Sequence, residues 1–307
     1  MARCRLCGGQ GDFKLDYARL WLCRKCFAER FFPNRVRKTV EKYKMFSSEG
    51  RVAVAVSGGK DSASLLHSLV QAFPALKLIA VHLNLGIEGY SEEAEEACRE
   101  LCRSLNVELK VYSLREEEGF TIPDFKATRY GGKICSACGV IKRRRLARIA
   151  GSLGVDALAT GHNLDDTVEA LFATFTSGDL QQLVRLKPVL PAQPPFPSKV
   201  KPFFRTPEAE ALLYAEYWGL PFNRKACPLA SGSRSHRGKQ LLNLWEKEEP
   251  GFKYRLLAAF ERLIPLVEDK ISQPQLVSCQ ICGLPASTPI CSDCRRIEAV
   301  KRLLARA

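Results

Sequence analysis

The stretch Val52-Ala53-Val54-Ala55-Val56-Ser57-Gly58-Gly59-Lys60-Asp61-Ser62 decides how this chain is read. Val52 to Val56 carries only valine and alanine, the composition of a strand buried on both faces in a parallel sheet. Ala63 to Val70 follows with apolar residues at helical spacing. A glycine-rich turn between strand and helix aims backbone N–H groups and a helix dipole at one point. Gly58 and Gly59 allow a phosphate to approach the backbone, Ser57 and Ser62 add hydroxyls, and Lys60 adds positive charge. The loop is too short for the Walker pattern. The alternative is an ordinary strand–helix turn that holds no ligand.

Outward from this loop, strands and helices alternate. Leu78 to Leu83 and Val107 to Tyr112 read as strands, with a helix from Ser91 to Leu105 between them. A basic helix from about Val140 to Leu153 stops at Gly154, and Val155 to Thr160 reads as a further strand. That strand delivers Gly161-His162-Asn163-Leu164-Asp165-Asp166 to an apolar helix, Thr167 to Phe175. Such βαβ alternation predicts an α/β fold with a doubly wound parallel sheet, whose ligands sit at the carboxyl ends of the strands. Ala55 and Gly161 close two of those strands and belong to the expected nucleotide pocket. His82 marks either an adenine pocket or a buried, satisfied histidine, and His162 is structural or ligand-binding. Pro188, Pro191, Pro194, Pro195 and Pro197 exclude regular helix or central strand from the segment 187–201, which reads as a surface linker or an RNA-contacting loop. A helix is expected from Glu208 and a helical pattern from Gln240 to about Val267, with Ser272-Gln273-Pro274 as a boundary.

The 13 cysteines sort into groups. Cys4-x2-Cys7 and Cys23-x2-Cys26 have the spacing of a structural zinc ribbon, as do Cys279-x2-Cys282 and Cys291-x2-Cys294. Four thiolates close a zinc sphere, so two zinc ions would stabilise folding rather than catalyse; redox-active CxxC pairs are the alternative. Cys98 and Cys102 share an apolar face with Ala94, Leu101 and Leu105 and read as core, on a helix with Ser91 as its cap. Cys135 and Cys138, in a loop before the basic helix, and the distant Cys227 remain. Three thiolates without a fourth suit an open metal site, in particular a [4Fe-4S] cluster with one free iron, or a redox pair with a catalytic thiol. These boundaries predict an N-terminal ribbon at 1–32, a nucleotide domain at 33–272 and a C-terminal ribbon at 273–307.

The chain has 307 residues, enough for one substantial core with appendages. Its 47 basic against 33 acidic residues give a formal charge of +14, still about +10 if eight cysteines bind two zinc ions as thiolates. That excess points to a polyanionic partner. Lys142 to Arg148, with Arg24, Lys25, Arg30, Arg35, Arg37 and Lys38, are candidates for an RNA backbone, against solvated helix faces as the alternative. No apolar signal region or membrane-length run is present, and cysteine-rich metal binding suits a reducing cytoplasm.

Ser-Gly-Gly-Lys-Asp-Ser matches the pyrophosphatase-type loop of enzymes that split ATP into AMP and pyrophosphate. Terminal ribbons, this loop, Lys133-Ile134-Cys135-Ser136-Ala137-Cys138-Gly139, Gly-His-Asn-Leu-Asp-Asp and a later Cys227-Pro228 occur in that order. The ordered set, spanning nearly the whole chain, resembles the TtuA-type tRNA 2-thiouridine synthetases, relatives of the cytosolic wobble-uridine thiolases. The resemblance implies a cytoplasmic tRNA sulfurtransferase that adenylates the C2 oxygen of the T-loop uridine and replaces it with sulfur. It implies ATP and Mg²⁺, a [4Fe-4S] cluster on Cys135, Cys138 and Cys227, a ubiquitin-like sulfur carrier with a C-terminal thiocarboxylate, and a homodimer. Lys142, one turn after Cys138, is then placed to reach the α-phosphate or the uridine oxygen. Asp166 is a general base or a Mg²⁺ ligand, with Asp165 as the helix cap. Wobble-uridine thiolation is the alternative within the family. A lysidine synthetase or amide-forming ligase would have no use for the three cysteines, and a zinc-ribbon RNA-binding adaptor would have no use for an intact loop.

Overall fold

The computed structural model describes residues 2–230, 234–271 and 275–305, and only the backbone of 234–236. The first cysteine quartet frames a hairpin of β1 (Phe13–Leu15) and β2 (Leu20–Leu22). The chain then runs without a break from Arg24–Cys26 through a π-helical turn, Phe27–Phe31, into the helix Phe32–Lys42, whose second residue is Pro33. Phe27, Phe32 and Val36 are fully buried, and Phe32 stacks on Tyr214 at 4.2 Å between ring centres. The N-terminal module therefore shares the large core of the nucleotide domain.

Six strands form the central sheet: β3 (Arg51–Ala55), β4 (Lys77–Asn84), β5 (Glu108–Ser113), β6 (Ala157–Thr160), β7 (Val189–Leu190) and β8 (Ser198–Val200). Their order is β5-β4-β3-β6-β8-β7. All pairs are parallel except β7–β8 at the edge. Val52, Ala53 and Val54 are fully buried at the centre, opposite Leu78–Ala80 on one side and Ala157–Ala159 on the other. The chain leaves β3 toward β4 and β5, then returns to lay β6 on the other flank. The β3–β6 junction is thus the switch point, where loops diverge and leave a crevice. The second quartet frames β9 (Val277–Ser278) and β10 (Pro285–Ala286), followed by the helix Ser292–Leu304. No helix among the described residues is long and apolar enough to cross a membrane.

Four local expectations change. The proline-rich segment does supply strands, because Ser198-Lys199-Val200 is proline-free and pairs in parallel with Ala157–Ala159. The basic helix begins at Ile134 and runs to Ser152, so Cys135 and Cys138 lie in its opening turns rather than in a preceding loop. The pattern after Gln240 is two helices, Arg234–Glu248 and Phe252–Glu268, separated at Pro250-Gly251 where Gly251 takes φ of 91°. Ser91 accepts from the Ile87 N–H at 2.9 Å and is not the N-cap of its helix. The expected boundary 272–274 lies outside the described residues.

Candidate nucleotide and cysteine site

The loop after β3 is held open by its own hydroxyls. Ser57 N–H donates to Ser62 Oγ at 3.0 Å, and Ser62 Oγ donates to the Gly59 carbonyl at 2.9 Å. Gly58 takes φ of 79°, and a Cβ there would stand 2.6 Å from the backbone of Ala94. Only glycine fits that turn. The helix Lys60–Ala72 starts at once, N-capped by Gly59, so its first N–H groups have no helical acceptor and face the loop. Gly161, at the end of β6, brings the second loop against the first: its Cβ would lie 3.2 Å from the Asp61 and Ser62 backbone. Ala55 is half-buried at the end of β3. His82 is buried beneath, its Nδ1 2.9 Å from the Val56 carbonyl oxygen, so it supports the loop from below.

A ring of charges joins the two loops. Lys60 Nζ bridges Asp61 Oδ2 at 2.9 Å and Glu208 Oε1 at 2.7 Å. Lys239 Nζ bridges Glu208 Oε2 at 3.0 Å and Asp166 Oδ1 at 2.5 Å. Asn163 Nδ2 closes the ring by donating to Asp61 Oδ1 at 3.1 Å. Burial raises the Glu208 carboxyl, but the Lys60 and Lys239 ammonium groups outweigh it and bring it down to about 2. Burial, opposed by Lys60, raises Asp61. Asp166 also accepts from the Asn163 N–H, while Asn163 Oδ1 accepts from Asp166 N–H at 2.9 Å, a reciprocal capping box. The cap is therefore Asn163. Asp165 instead accepts from the Glu208 N–H at 2.7 Å and pairs with buried Lys253. That role escaped the sequence because Lys253 and Glu208 are distant in the chain. A cavity of about 710 Å³ opens beside the ring, with Lys60, Glu208, Lys239 and Lys253 among its walls.

The three remaining cysteines meet on the other side of the crevice. Cys138, Cys227 and Tyr90 border one apolar cluster, and Cys135 Sγ reaches the Leu229 carbonyl at 3.3 Å, two residues beyond Cys227. Burial pushes the Cys138 thiol up; the Lys142 charge opposes this, while Cys227 and Cys135 reinforce it. The segment carrying Cys227 is tied to the phosphate loop, since Asn223 N–H donates to the Gly58 carbonyl at 2.7 Å. Lys142 is exposed, and its charge acts on both Cys138 and His162. Desolvation pushes the His162 imidazole down although the ring reaches solvent, and Lys201, Lys142 and Arg143 add to the effect against Asp166. Lys142, His162 and Asp166 thus share one electrostatic neighbourhood. Lys201, just past β8, belongs to it as well: burial holds its ammonium down to about 8, against the pull of Asp166. Glu208, Lys239 and Lys201 carried no motif, and only the fold delivers them.

Each terminal quartet gathers its four sulfurs within 4.8 Å of one another: Cys4, Cys7, Cys23 and Cys26, and Cys279, Cys282, Cys291 and Cys294. Cys7–Cys23 and Cys282–Cys291 are 3.9 Å apart. Tetrahedral zinc with ~2.3 Å bonds to sulfur requires edges of about 3.8 Å, so the donor sets fit that metal. Burial raises the Cys4 and Cys279 thiols, but backbone N–H donors bring each to about 6, favouring thiolate. Among the described residues only these quartets draw their sulfurs so close. The Cys135–Cys138–Cys227 trio is not drawn that close together. Cys98 and Cys102 are core, pushed by burial up to about 12 and about 11. Of the basic residues expected on RNA, Arg35 bonds Glu210 at 2.7 Å, Arg37 bonds the Ala72 carbonyl and Arg145 bonds Glu118 at 2.5 Å, so these three are structural.

Loop, switch point and sheet order define a PP-loop nucleotide-binding protein. Residues 31–213 match the family described as the PP-loop domain. The tRNA-5-methyluridine(54) 2-sulfurtransferase of Pyrococcus horikoshii is 34% identical over 293 residues, covering 95% of this chain and 93% of that protein. Its counterpart in Thermus thermophilus is 35% identical over 97% of this chain and 92% of its own. The U34-tRNA thiolase NcsA from Methanococcus maripaludis, solved with its [4Fe-4S] cluster, superposes with a TM-score of 0.83 at 30% identity, over 97% of this chain and 96% of that one. The chain belongs to the PP-loop tRNA sulfurtransferases, a family of tRNA 2-thiolation enzymes.

Proposed function

We propose that this enzyme thiolates the T-loop uridine of tRNA at C2, using ATP to activate the oxygen it replaces. The observation that carries this is the crevice itself: the phosphate loop and the three cysteines face each other across it and are joined by the Asn223–Gly58 hydrogen bond. A C2 oxygen is a poor leaving group until it bears a phosphoryl substituent. It attacks the α-phosphate, pyrophosphate departs, and sulfur then displaces AMP from C2. The loop amides, Ser57, Ser62 and Lys60 stabilise the charge that builds on the phosphates. Lys142 supplies a cation at the α-phosphate, and Asp166 is the carboxylate that takes a proton or offers oxygen to Mg²⁺. Cys135, Cys138 and Cys227 would hold a [4Fe-4S] cluster, which supplies an iron open to sulfur. The two quartets hold structural zinc. The sulfur donor is a ubiquitin-like carrier with a C-terminal thiocarboxylate, the working unit a homodimer, and the compartment the cytoplasm. Position 54 rather than 34 rests on the names of the two curated relatives, whereas the solved neighbour acts at U34.

Mass spectrometry of tRNA from a deletion strain locates the missing thiouridine, and its loss from the anticodon would overturn the T-loop assignment. Lys142→Ala and Asp166→Ala are expected to lose tRNA-dependent AMP formation together with thiolation. Cys227→Ser keeps its fold and ATP binding, takes up no iron anaerobically and makes no thiouridine. Full thiolation by iron-free Cys227→Ser would sink the cluster chemistry while leaving the family intact.

A further inference from the structure

A second cleft, of about 770 Å³, opens on the far side of the Ile134–Ser152 helix from its core face, between that helix, the proline-rich segment and the C-terminal ribbon. Its walls include Arg143, Arg144, Arg185, Lys187, Lys199 and Arg295. Two carboxylates also line it: Glu268 pairs with Lys187, and Asp293 pairs through Oδ2 with Arg145, leaves its buried Oδ1 without a partner and feels the Arg144 charge as well. Among the described residues no ion pair reaches Arg143, Arg144 or Lys199. Arg144 is fixed in place, donating to the Pro285 carbonyl at 3.1 Å and lying 4.7 Å from the centre of the Phe196 ring, while its buried Nε has no partner. Lys199 is half-buried on β8, held below the usual lysine range by desolvation and then by Arg143 and Arg144. Six cations against two carboxylates in a concave, partly desolvated place raise the folding free energy unless a further anion takes part.

We infer that this cleft is a phosphodiester-binding site for the substrate RNA, with Arg143, Arg144 and Lys199 as its anion donors and the C-terminal ribbon as its outer wall. Arg143 links it to the crevice, being the neighbour of Lys142 and one of the cations acting on His162. Phosphates seated here would hold the RNA backbone beside the site while a base extends into the crevice. Arg144 suits the task through its fixed planar fork, and Lys199 as a point charge. Backbone contacts of this kind position a nucleic acid without reading its sequence. The ribbon then has a second use besides stability: Arg144 bonds Pro285 and Asp293 holds Arg145, so the module aligns the basic helix. The inference rests on the tRNA reading above.

The test is tRNA binding by fluorescence anisotropy from about 50 to 200 mM salt, on wild type, Lys199→Gln and Arg144→Gln/Lys199→Gln. Each lost phosphate contact should reduce the salt slope by about 0.9, or a further ~3-fold in how steeply affinity falls over that range. Lys199→Gln is therefore expected to lose about one unit of slope and the double variant about two, with wild-type ATP affinity. Melting curves of each variant separate a binding defect from an unfolded ribbon, and the lysine variant alone touches no ribbon residue. Unchanged tRNA affinity and slope in both variants would overturn the cleft. Wild type that fails to bind tRNA at all would overturn the functional reading, a distinct outcome.

Discussion

Replacing Lys253 with methionine probes the hidden part of the site. Lys253 is 7% exposed, and its ammonium bonds Asp165 Oδ1 and Asn243 Oδ1. Asp165 is 6% exposed, and its other oxygen accepts from the Glu208 N–H at 2.7 Å. One ion pair thus pins four helices, Leu164–Ser177, Glu208–Tyr217, Arg234–Glu248 and Phe252–Glu268. Removing one partner of a buried pair leaves an uncompensated charge and costs about 3–5 kcal/mol. Against a total stability of about 5–15 kcal/mol this is severe. With an m-value of ~3 kcal/mol/M, the urea midpoint should fall by about 1–1.7 M. Adding Asp165→Asn to Lys253→Met removes the stranded charge and should recover most of the loss, since the amide oxygen still accepts from Glu208. ATP affinity should fall with the single change, because Glu208 holds Lys60. A loss under about 1 kcal/mol in Lys253→Met would refute the reasoning, showing that water reaches Asp165.

Other substitutions test separate pieces. Gly58→Ala forces φ of 79° on a residue with a Cβ and drives that atom into Ala94, so beyond ~1–2 kcal/mol of backbone cost the loop must shift; ATP affinity should drop at least about tenfold, and an unchanged titration would refute the close approach. Lys201→Met should stabilise the protein at neutral pH. The folded-state ammonium, brought down to about 8 from 10.5, binds fewer protons than the unfolded one between those values, so wild-type stability rises with pH there. The advantage of the variant should fade across that window in melting curves, and parallel curves would count against burial of Lys201. Stripping metal with a chelator should lower the melting temperature, and Cys4→Ser should lower it more than Cys279→Ser. The reason is that Cys4 and Cys26 pack into the large core whereas the C-terminal quartet forms its own cluster. Equal losses would contradict that difference in packing.

Sequence by itself determined whatever is local. Val52 to Ser62 carried strand, turn and helix start in adjacent residues, because buried strand composition, glycine conformation and helix periodicity are short-range properties. The CxxC knuckles were legible for the same reason, since two residues between thiols set one half of a zinc sphere. Capping was less so: Asn163 took the role expected of Asp165, as the geometry turns on which side chain faces back along its own helix. Proline count misjudged 187–201, where three proline-free residues pair in parallel with the buried strand β6. Everything requiring two distant segments to meet was left to the tertiary structure. Glu208 and Lys239 reached Lys60 and Asp166 only once the later helices packed over the switch point. Cys227 joined Cys135 and Cys138 because Asn223 anchors its segment to Gly58. Charge pattern alone could not separate Arg145, buried in ion pairs, from its neighbours Arg143 and Arg144, which face the cleft. On a helix 100° of rotation per residue decides that, and only the elements packed against it show which side is which.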